Sequence, residues 1–203
     1  HSRPYFETLH KTLTEIAAAD PRARNPYLRR AEIKKTLLIV IAGDRGLAGG
    51  YNSNVLKQAE AQQGPVTVLP IGKRSQEYFA PHGADLFTEE VLLAADVSVG
   101  ECFALSRKIT EGYLKGDYDA VKLCYTRFDS MMPQTASTME VLPLTIEPTE
   151  EQKAAARRSQ SLYKPSSEEV FGAIIPEYVA GIVYGAVCES VASELAARRT
   201  AMD

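Results

Sequence analysis

The chain has 203 residues, a formal net charge of −3 and 45% hydrophobic residues, enough for one domain with its own core plus an appendage. The near-balance of charge argues against a dedicated nucleic-acid binder, because such proteins need a strong basic excess. No uninterrupted apolar run approaches the ~18 residues that span a bilayer, and the charged first residues do not resemble a signal peptide. We therefore expect an intracellular protein, soluble or peripheral on a membrane, with no direct membrane span.

The first predicted element is a helix over residues 4–19. Pro4 suits a first helical position, and the apolar residues that follow recur at spacings of three and four. Such a narrow stripe is typical of a coiled-coil helix. Its members are Phe6, Leu9, Leu13 and Ile16.

A buried-type strand, a glycine loop and a helix come next. Residues 35–42 are apolar, and a helix is expected over 52–63 with Asn52 or Ser53 as its cap. The loop either binds phosphate at a helix start or forms a tight turn in which glycines permit positive φ and close packing. Its spacing matches neither the P-loop nor the dinucleotide-binding pattern, which favours the turn. The loop glycines are Gly43, Gly46, Gly49 and Gly50.

Further strands and helices alternate along the chain. Residues 66–71 predict a second strand, 73–80 a short helix and 84–88 a third strand. Strands over 118–128 and 135–143 are expected to pair as a hairpin. This alternation predicts an α/β fold with a mainly parallel, Rossmann-like sheet and flanking helices.

Between these strands, a helix over 98–115 is expected to begin with a capping box formed by Ser98 and Glu101. Gly116 closes it. Residues 145–166 are polar and are expected to be a mobile or partly helical surface segment. The three cysteines lie far apart without a CxxC pair, so neither a disulfide framework nor a metal site is expected, and the thiols are interpreted as buried and free.

The last predicted element is a helix of about 36 residues that begins at Ser166 or Ser167 and spans ~50 Å. Glu168 or Glu169 supplies a negative first turn. Apolar residues recur every four positions along it. Helices at both termini indicate the roots of an antiparallel two-helix coiled coil. The apolar row contains Phe171, Ile175, Val179, Val183, Val187, Val191 and Leu195.

The predicted elements divide the chain into three parts. Residues 1–19 are the end of an N-terminal coiled-coil helix and residues 20–165 are a globular α/β domain. Residues 166–203 are the start of a C-terminal coiled-coil helix.

Three stretches resemble the γ subunits of F-type ATP synthases, the central rotor shaft. They are Ser2–Tyr5, Asp44–Asn52 (DRGLAGGYN) and Glu189–Asp203 (ESVASELAARRTAMD). The family's loop commonly reads DRGLCGG followed by Phe or Tyr and Asn, and its C-terminal signature is close to ESxASExxARMxAM. Ala48 stands where cysteine is usual, and Arg199 where methionine is common. The family's long N-terminal helix and the end of its C-terminal helix are absent, as is the chloroplast-type insertion, so a bacterial origin is expected.

The resemblance implies a non-catalytic subunit that carries torque between a proton-driven c-ring and the catalytic α3β3 head. The implied partners are the epsilon subunit, the c-ring and the alpha and beta subunits, with no cofactor and no nucleic acid. The implied location is peripheral, on the cytoplasmic face of the plasma membrane. The candidate residues are Asp44, Arg45, Gly46, Gly49, Gly50 and Asn52 as a structural loop, Tyr163, Lys164 and Pro165 as a c-ring contact, and Arg198 and Arg199 as a head contact.

Two alternatives stay open at the level of the sequence. A Rossmann-like nucleotide-binding protein or enzyme would use the loop Gly43–Gly50 and would show affinity for ATP, NAD or a similar ligand. A generic coiled-coil scaffold would use only the terminal helices.

Overall fold

The computed structural model describes residues 3–19, 26–28, 32–46, 49–128, 134–146, 148–158 and 167–202. Short 3-10 turns lie at Pro26–Leu28 and Ala80–His82. The helices and strands, in chain order, are α1 (Arg3–Ala19), β1 (Thr36–Ile41), α2 (Tyr51–Glu60), β2 (Val66–Ile71), α3 (Lys73–Phe79), α4 (Val99–Lys115), β3 (Ala120–Arg127), β4 (Thr135–Leu142), α5 (Glu150–Arg158) and α6 (Ser167–Met202).

The four strands form one sheet in the order β2-β1-β3-β4. β1 pairs in parallel with β2 and with β3, and β4 runs antiparallel to β3. The predicted mainly parallel sheet and its terminal hairpin are therefore confirmed. The predicted third strand over 84–88 is wrong in extent, because only a single parallel bridge joins Val68 to Leu86.

β1 lies at the centre of the sheet and all six of its residues are buried. Because successive side chains in a strand point to opposite faces, Leu37 and Ile39 join the core formed with α1, α4 and α6. Leu38 and Val40 join a smaller core beneath α2. The sheet is thus covered on both faces, as parallel sheets require.

The helix ends confirm some predicted caps and correct others. The Ser98 hydroxyl accepts a hydrogen bond from the Glu101 amide at 3.1 Å, and Gly116 closes α4 in the left-handed conformation. The predicted cap of α2 is wrong, because α2 follows Gly50 without a side-chain cap. The Asn52 carboxamide is engaged in the glycine loop.

α6 lies against β3 and α4 and also contacts α1. Its predicted apolar row is fully buried from Phe171 to Val183, but Leu195 is 59% exposed, so the expectation fails at that end. The reason is geometric: four residues turn a helix by about 400°, so an every-four row drifts by about 40° per step. From Val187 onward the buried face continues through Ser190 and Glu194 instead.

By length and composition alone, α6 is a helix that could cross a membrane, among the residues that the structure describes. The core helix of a soluble protein passes the same test. Here the fully buried apolar side chains of α6, from Phe171 to Val183, belong to the core of the domain. α6 also contains Pro176, which sequence reasoning overlooked; its carbonyl accepts a hydrogen bond from the Ser106 hydroxyl of α4.

The structure decides two further expectations. Part of the polar segment 145–166 is the helix α5, which packs against α1, so the partly helical alternative is confirmed. Cys102 and Cys124 are buried as expected, but Cys188 is exposed.

Candidate functional site

The glycine loop lies at the carboxyl end of β1, and Asp44 ties it to two neighbouring segments. One Asp44 carboxylate oxygen accepts hydrogen bonds from the amides of Lys73, at 3.1 Å, and Ala94, at 2.8 Å. The other oxygen accepts from the amide of Ala95 at 3.1 Å. Because Lys73 is the first residue of α3, the carboxylate also faces the positive end of that helix. Asp44 thus satisfies three backbone amides, at the start of α3 and in the segment before α4, and so holds both segments against the loop.

Asn52 closes the loop from the other side. Its side-chain oxygen accepts a hydrogen bond from the Gly43 amide at 2.8 Å, and its side-chain nitrogen donates to the Arg45 carbonyl at 3.1 Å. Gly49 has a φ of +60°, which a residue with a Cβ rarely adopts. The loop is therefore a turn that Asn52 closes through the Gly43 amide and the Arg45 carbonyl.

The second half of α6 sits on this turn through polar contacts. The Tyr51 hydroxyl donates to the Ser190 carbonyl at 2.8 Å, and the Ser190 hydroxyl accepts from the Thr126 amide at 3.2 Å. One turn later, the Ser193 hydroxyl donates to the Thr126 carbonyl at 3.4 Å. Burial raises the pKa of Tyr51, with the Glu194 charge adding to the effect, so the hydroxyl keeps its proton and acts as a donor.

Glu194 and Arg198 complete the contact between α6 and the loop. A methyl group placed on Gly43 would lie 2.7 Å from Glu194 Oε1, so the carboxylate occupies the space that the missing side chain leaves. Arg198 Nη2 donates to Glu194 Oε1 at 2.8 Å and to the Gly46 carbonyl at 3.4 Å. Burial raises the pKa of Glu194, Asp44 adds to this effect, and Arg198 and Arg45 oppose it.

This arrangement suits a structural junction better than a phosphate site. The Gly43 amide, which could face a phosphate, is bonded to Asn52, and the Asp44 carboxylate holds three further amides. Within the described ranges, no group of three or more His, Cys, Asp or Glu side chains could hold a metal ion.

The structure places the remaining sequence candidates as follows. Arg45 and Arg199 are exposed, whereas Arg198 points towards the loop. Tyr163, Lys164 and Pro165 lie outside the described residues. Sequence reasoning did not assign roles to Tyr51, Ser190 and Glu194. The signal that could have found the last two is a switch from apolar to polar residues on the buried face, at Val187, Ser190 and Glu194.

Together, the mainly parallel sheet and the 36-residue helix packed on it define an α/β protein with a long C-terminal helix. A family model described as ATP synthase matches residues 1–203, and the chain belongs to that family.

Curated relatives over nearly the whole chain are named ATP synthase gamma chain. The protein of Ruminococcus albus is 38% identical and that of Staphylococcus saprophyticus is 32% identical, each match covering 98% of this chain and 71% of the relative. A protein of Acetobacterium woodii named "ATP synthase gamma chain, sodium ion specific" is 34% identical, over 99% of this chain and 72% of the relative. The predicted family is therefore confirmed.

Solved structures share the fold. The central stalk and c-ring structure of the Tetrahymena thermophila mitochondrial ATP synthase contains a chain with a TM-score of 0.64 and 22% identity, covering 98% of this chain and 97% of that one. A rotor structure of the Euglena gracilis enzyme gives a TM-score of 0.55 at 16% identity, covering 98% and 85%. The predicted fold class is confirmed.

Proposed function

We propose that this chain is the rotor domain of an ATP synthase gamma chain, which carries torque between the c-ring and the catalytic α3β3 head. The observation that carries the proposal is the way α6 is held by the domain. Phe171, Ile175, Val179 and Val183 of α6 are fully buried, and further along the helix Tyr51 bonds to Ser190. The domain and the helix must therefore turn together.

The dimensions of α6 suit this role. Its 36 residues, at about 1.5 Å per residue, give a rod of about 54 Å. The last described residue, Met202, is still helical and 77% exposed. A rod gripped over its first half by a packed core resists bending, because protein interiors are close-packed and transmit strain.

We assign no catalytic role to this chain. In the loop that would be the natural nucleotide site, the Gly43 amide is bonded to Asn52, and the Glu194 carboxylate lies against Gly43. ATP chemistry then belongs to other subunits of the complex.

The partners that we propose are the epsilon subunit, the c-ring and the alpha and beta subunits. The location is peripheral, at the cytoplasmic face of a bacterial plasma membrane, without a membrane span of this chain. The proposed coupling ion is the proton. The relative named as sodium ion specific matches 99% of this chain at 34% identity, much as the other relatives do, so the ion is expected to be chosen outside this domain.

Two contact regions are part of the proposal. Tyr163, Lys164 and Pro165 are assigned to the c-ring, on the family resemblance. Arg198 and Arg199 are assigned to the head. Of these two, Arg199 has its side chain exposed, whereas the Arg198 guanidinium is already paired with Glu194.

The proposal is tested by mixing the gamma chain that contains this sequence with its epsilon subunit, and measuring the mass of the complex that elutes. A titration of the chain with ATP and NAD runs alongside. A one-to-one complex without nucleotide affinity is expected. Nucleotide binding to Gly43–Gly50 without epsilon binding would overturn the rotor proposal in favour of a Rossmann-like nucleotide-binding protein.

A matched pair of variants sharpens the head contact. Arg199→Glu in the reconstituted complex is expected to lower the ratio of ion pumping to ATP hydrolysis, because a charge that faces the head is reversed. Arg158→Glu, an exposed arginine at the end of α5, is the control. Equal pumping ratios in both variants would remove Arg199 from the proposed contact.

A further inference from the structure

Glu194 is the only charged residue that is buried in the part of the chain the structure describes, with 9% of its surface exposed. It lies on the face of α6 that is turned to the sheet, one turn beyond Ser190. Burying a carboxylate costs free energy unless partners compensate for its lost hydration. A residue of this kind in the second half of a long helix needs an explanation beyond filling space.

The surroundings of Glu194 are built to receive a carboxylate. Gly43 has no side chain where Glu194 lies, since a methyl group there would be 2.8 Å from the Glu194 carboxyl carbon. Arg198, one helical turn away, donates to Glu194 Oε1 at 2.8 Å and reaches the Gly46 carbonyl at 3.4 Å. The pair therefore connects the helix to the loop on both sides of Asp44.

An ion pair here is a poor source of stability. The pKa of Glu194 is raised, chiefly by burial, so the loss of hydration outweighs the attraction of Arg198 and Arg45. An apolar side chain would bury more favourably, but it would supply no directional bond to the loop at this end of the helix. The bond between Arg198 and Glu194 lies within α6, so the hydrogen bond that ties this pair to the loop is the one from Arg198 Nη2 to the Gly46 carbonyl, at 3.4 Å.

We propose that Glu194 is a positioning residue, which sets the rotational angle of α6 on the domain through its contact with Gly43 and by holding Arg198 at the Gly46 carbonyl. This inference rests on the proposed torque-bearing function. Apolar packing holds the first half of α6 against the sheet. In the second half, the Glu194–Arg198 pair adds to the hydrogen bonds of Ser190 and Ser193 at the point where the helix leaves the domain, so that torque passes along the helix without a lag in angle.

The test uses the reconstituted ATP synthase complex that contains the full gamma chain. The catalytic head is fixed to a surface, a probe is attached to the globular domain, and the angular variance of the probe is recorded during the catalytic pauses of ATP-driven rotation. Because angular variance is inversely proportional to stiffness, loss of this contact in Glu194→Ala is expected to raise the variance about twofold. Unloaded ATP hydrolysis is expected to stay unchanged.

A double-mutant cycle separates positioning from general damage. Gly43→Ala places a methyl group where the carboxylate lies and is expected to raise the variance as Glu194→Ala does. The combined variant is expected to be no worse than either one alone, because both remove the same contact. Glu194→Gln keeps the size and an acceptor for Arg198 and is expected to restore most of the stiffness. Glu60→Gln, at an exposed position on α2, is the matched control and is expected to match the unmodified complex.

The outcomes separate this inference from the proposed function. Unchanged variance in Glu194→Ala, in a complex that assembles and hydrolyses ATP, overturns the positioning role and leaves the rotor function intact. Additive effects of Gly43→Ala and Glu194→Ala also overturn it. If the unmodified complex does not rotate the probe at all, the proposed rotor function fails first. If Glu194→Ala does not assemble, the angular variance of Gly43→Ala is compared with that of Glu194→Gln. A higher variance in Gly43→Ala supports the positioning role, and equal variances overturn it.

Discussion

Val183 offers the sharpest test of how α6 is held by the domain. It is fully buried in the middle of the helix, within the core that α6 shares with the sheet. Replacing it by aspartate removes apolar burial worth about 2 kcal/mol. The new carboxyl group must then either ionise without water or stay protonated at neutral pH.

The cost of staying protonated can be worked out. An aspartate with an ordinary pKa of about 3.9 loses about 1.4 kcal/mol for each pH unit over which it is held neutral, so about 4 kcal/mol at pH 7. Together with the lost burial, Val183→Asp is expected to lower the free energy of unfolding by about 6 kcal/mol at pH 7. At pH 4 the cost of keeping the aspartate protonated nearly vanishes, so the loss in the free energy of unfolding is expected to fall to about 2 kcal/mol.

Urea unfolding at pH 4 and pH 7 measures both values. Val183→Asn, with the same shape but no titration, is expected to give a loss that does not change between the two pH values. Leu195→Asp, at an exposed position of the same helix, is expected to change stability by less than about 0.5 kcal/mol. A loss below about 1 kcal/mol for Val183→Asp at pH 7, or one equal at both pH values, would refute the buried-root reasoning.

Three further predictions concern the glycine loop and its neighbours, each measured by urea unfolding. Gly72→Ala should lower the free energy of unfolding by about 3 kcal/mol or more, because φ is +96° and the methyl group would lie 2.0 Å from the Ala42 carbonyl oxygen. Gly83→Ala, where φ is +71° and the space is open, should lower it by only about 1–2 kcal/mol, and equal losses in the two variants would contradict this. Asp44→Ala should cost about 2 kcal/mol, because three amides lose a charged acceptor, and a loss below about 0.5 kcal/mol would count against that role. Since the native pKa of Glu194 is raised, its contribution to stability is present below pH 4.5 and is lost as the pH rises through the native pKa. Glu194→Gln should therefore lessen the fall in the free energy of unfolding over this pH range, and an equal fall in the variant and the unmodified chain would argue otherwise.

Local patterns predicted the elements that depend on neighbours in the chain. The cap at Ser98, the left-handed end at Gly116 and the bounds of β2 all follow from short-range chemistry, and the structure confirms them. The predicted strand over 84–88 failed for the opposite reason. A strand needs a partner along its length, and only Leu86 finds one on β2.

The loop shows why residue types alone did not give the site. Asn52 has the composition of a helix cap, yet its side chain bonds to Gly43 and Arg45 instead. An amide side chain close to several backbone groups takes the set that leaves the fewest donors unsatisfied. Which set that is depends on how β1 and α2 meet, and this is a property of the packed fold.

By itself, the sequence determined the family, the α/β alternation and the long last helix, because these depend on periodicity and on motifs that are contiguous in the chain. Only the tertiary structure decided that Glu194 lies against Gly43 and that Arg198 faces the loop. These residues are about 150 positions apart, and a four-residue period cannot tell which side of a 36-residue helix meets the sheet at its far end. The drift of the helix face, together with the space left by one glycine, settles that question.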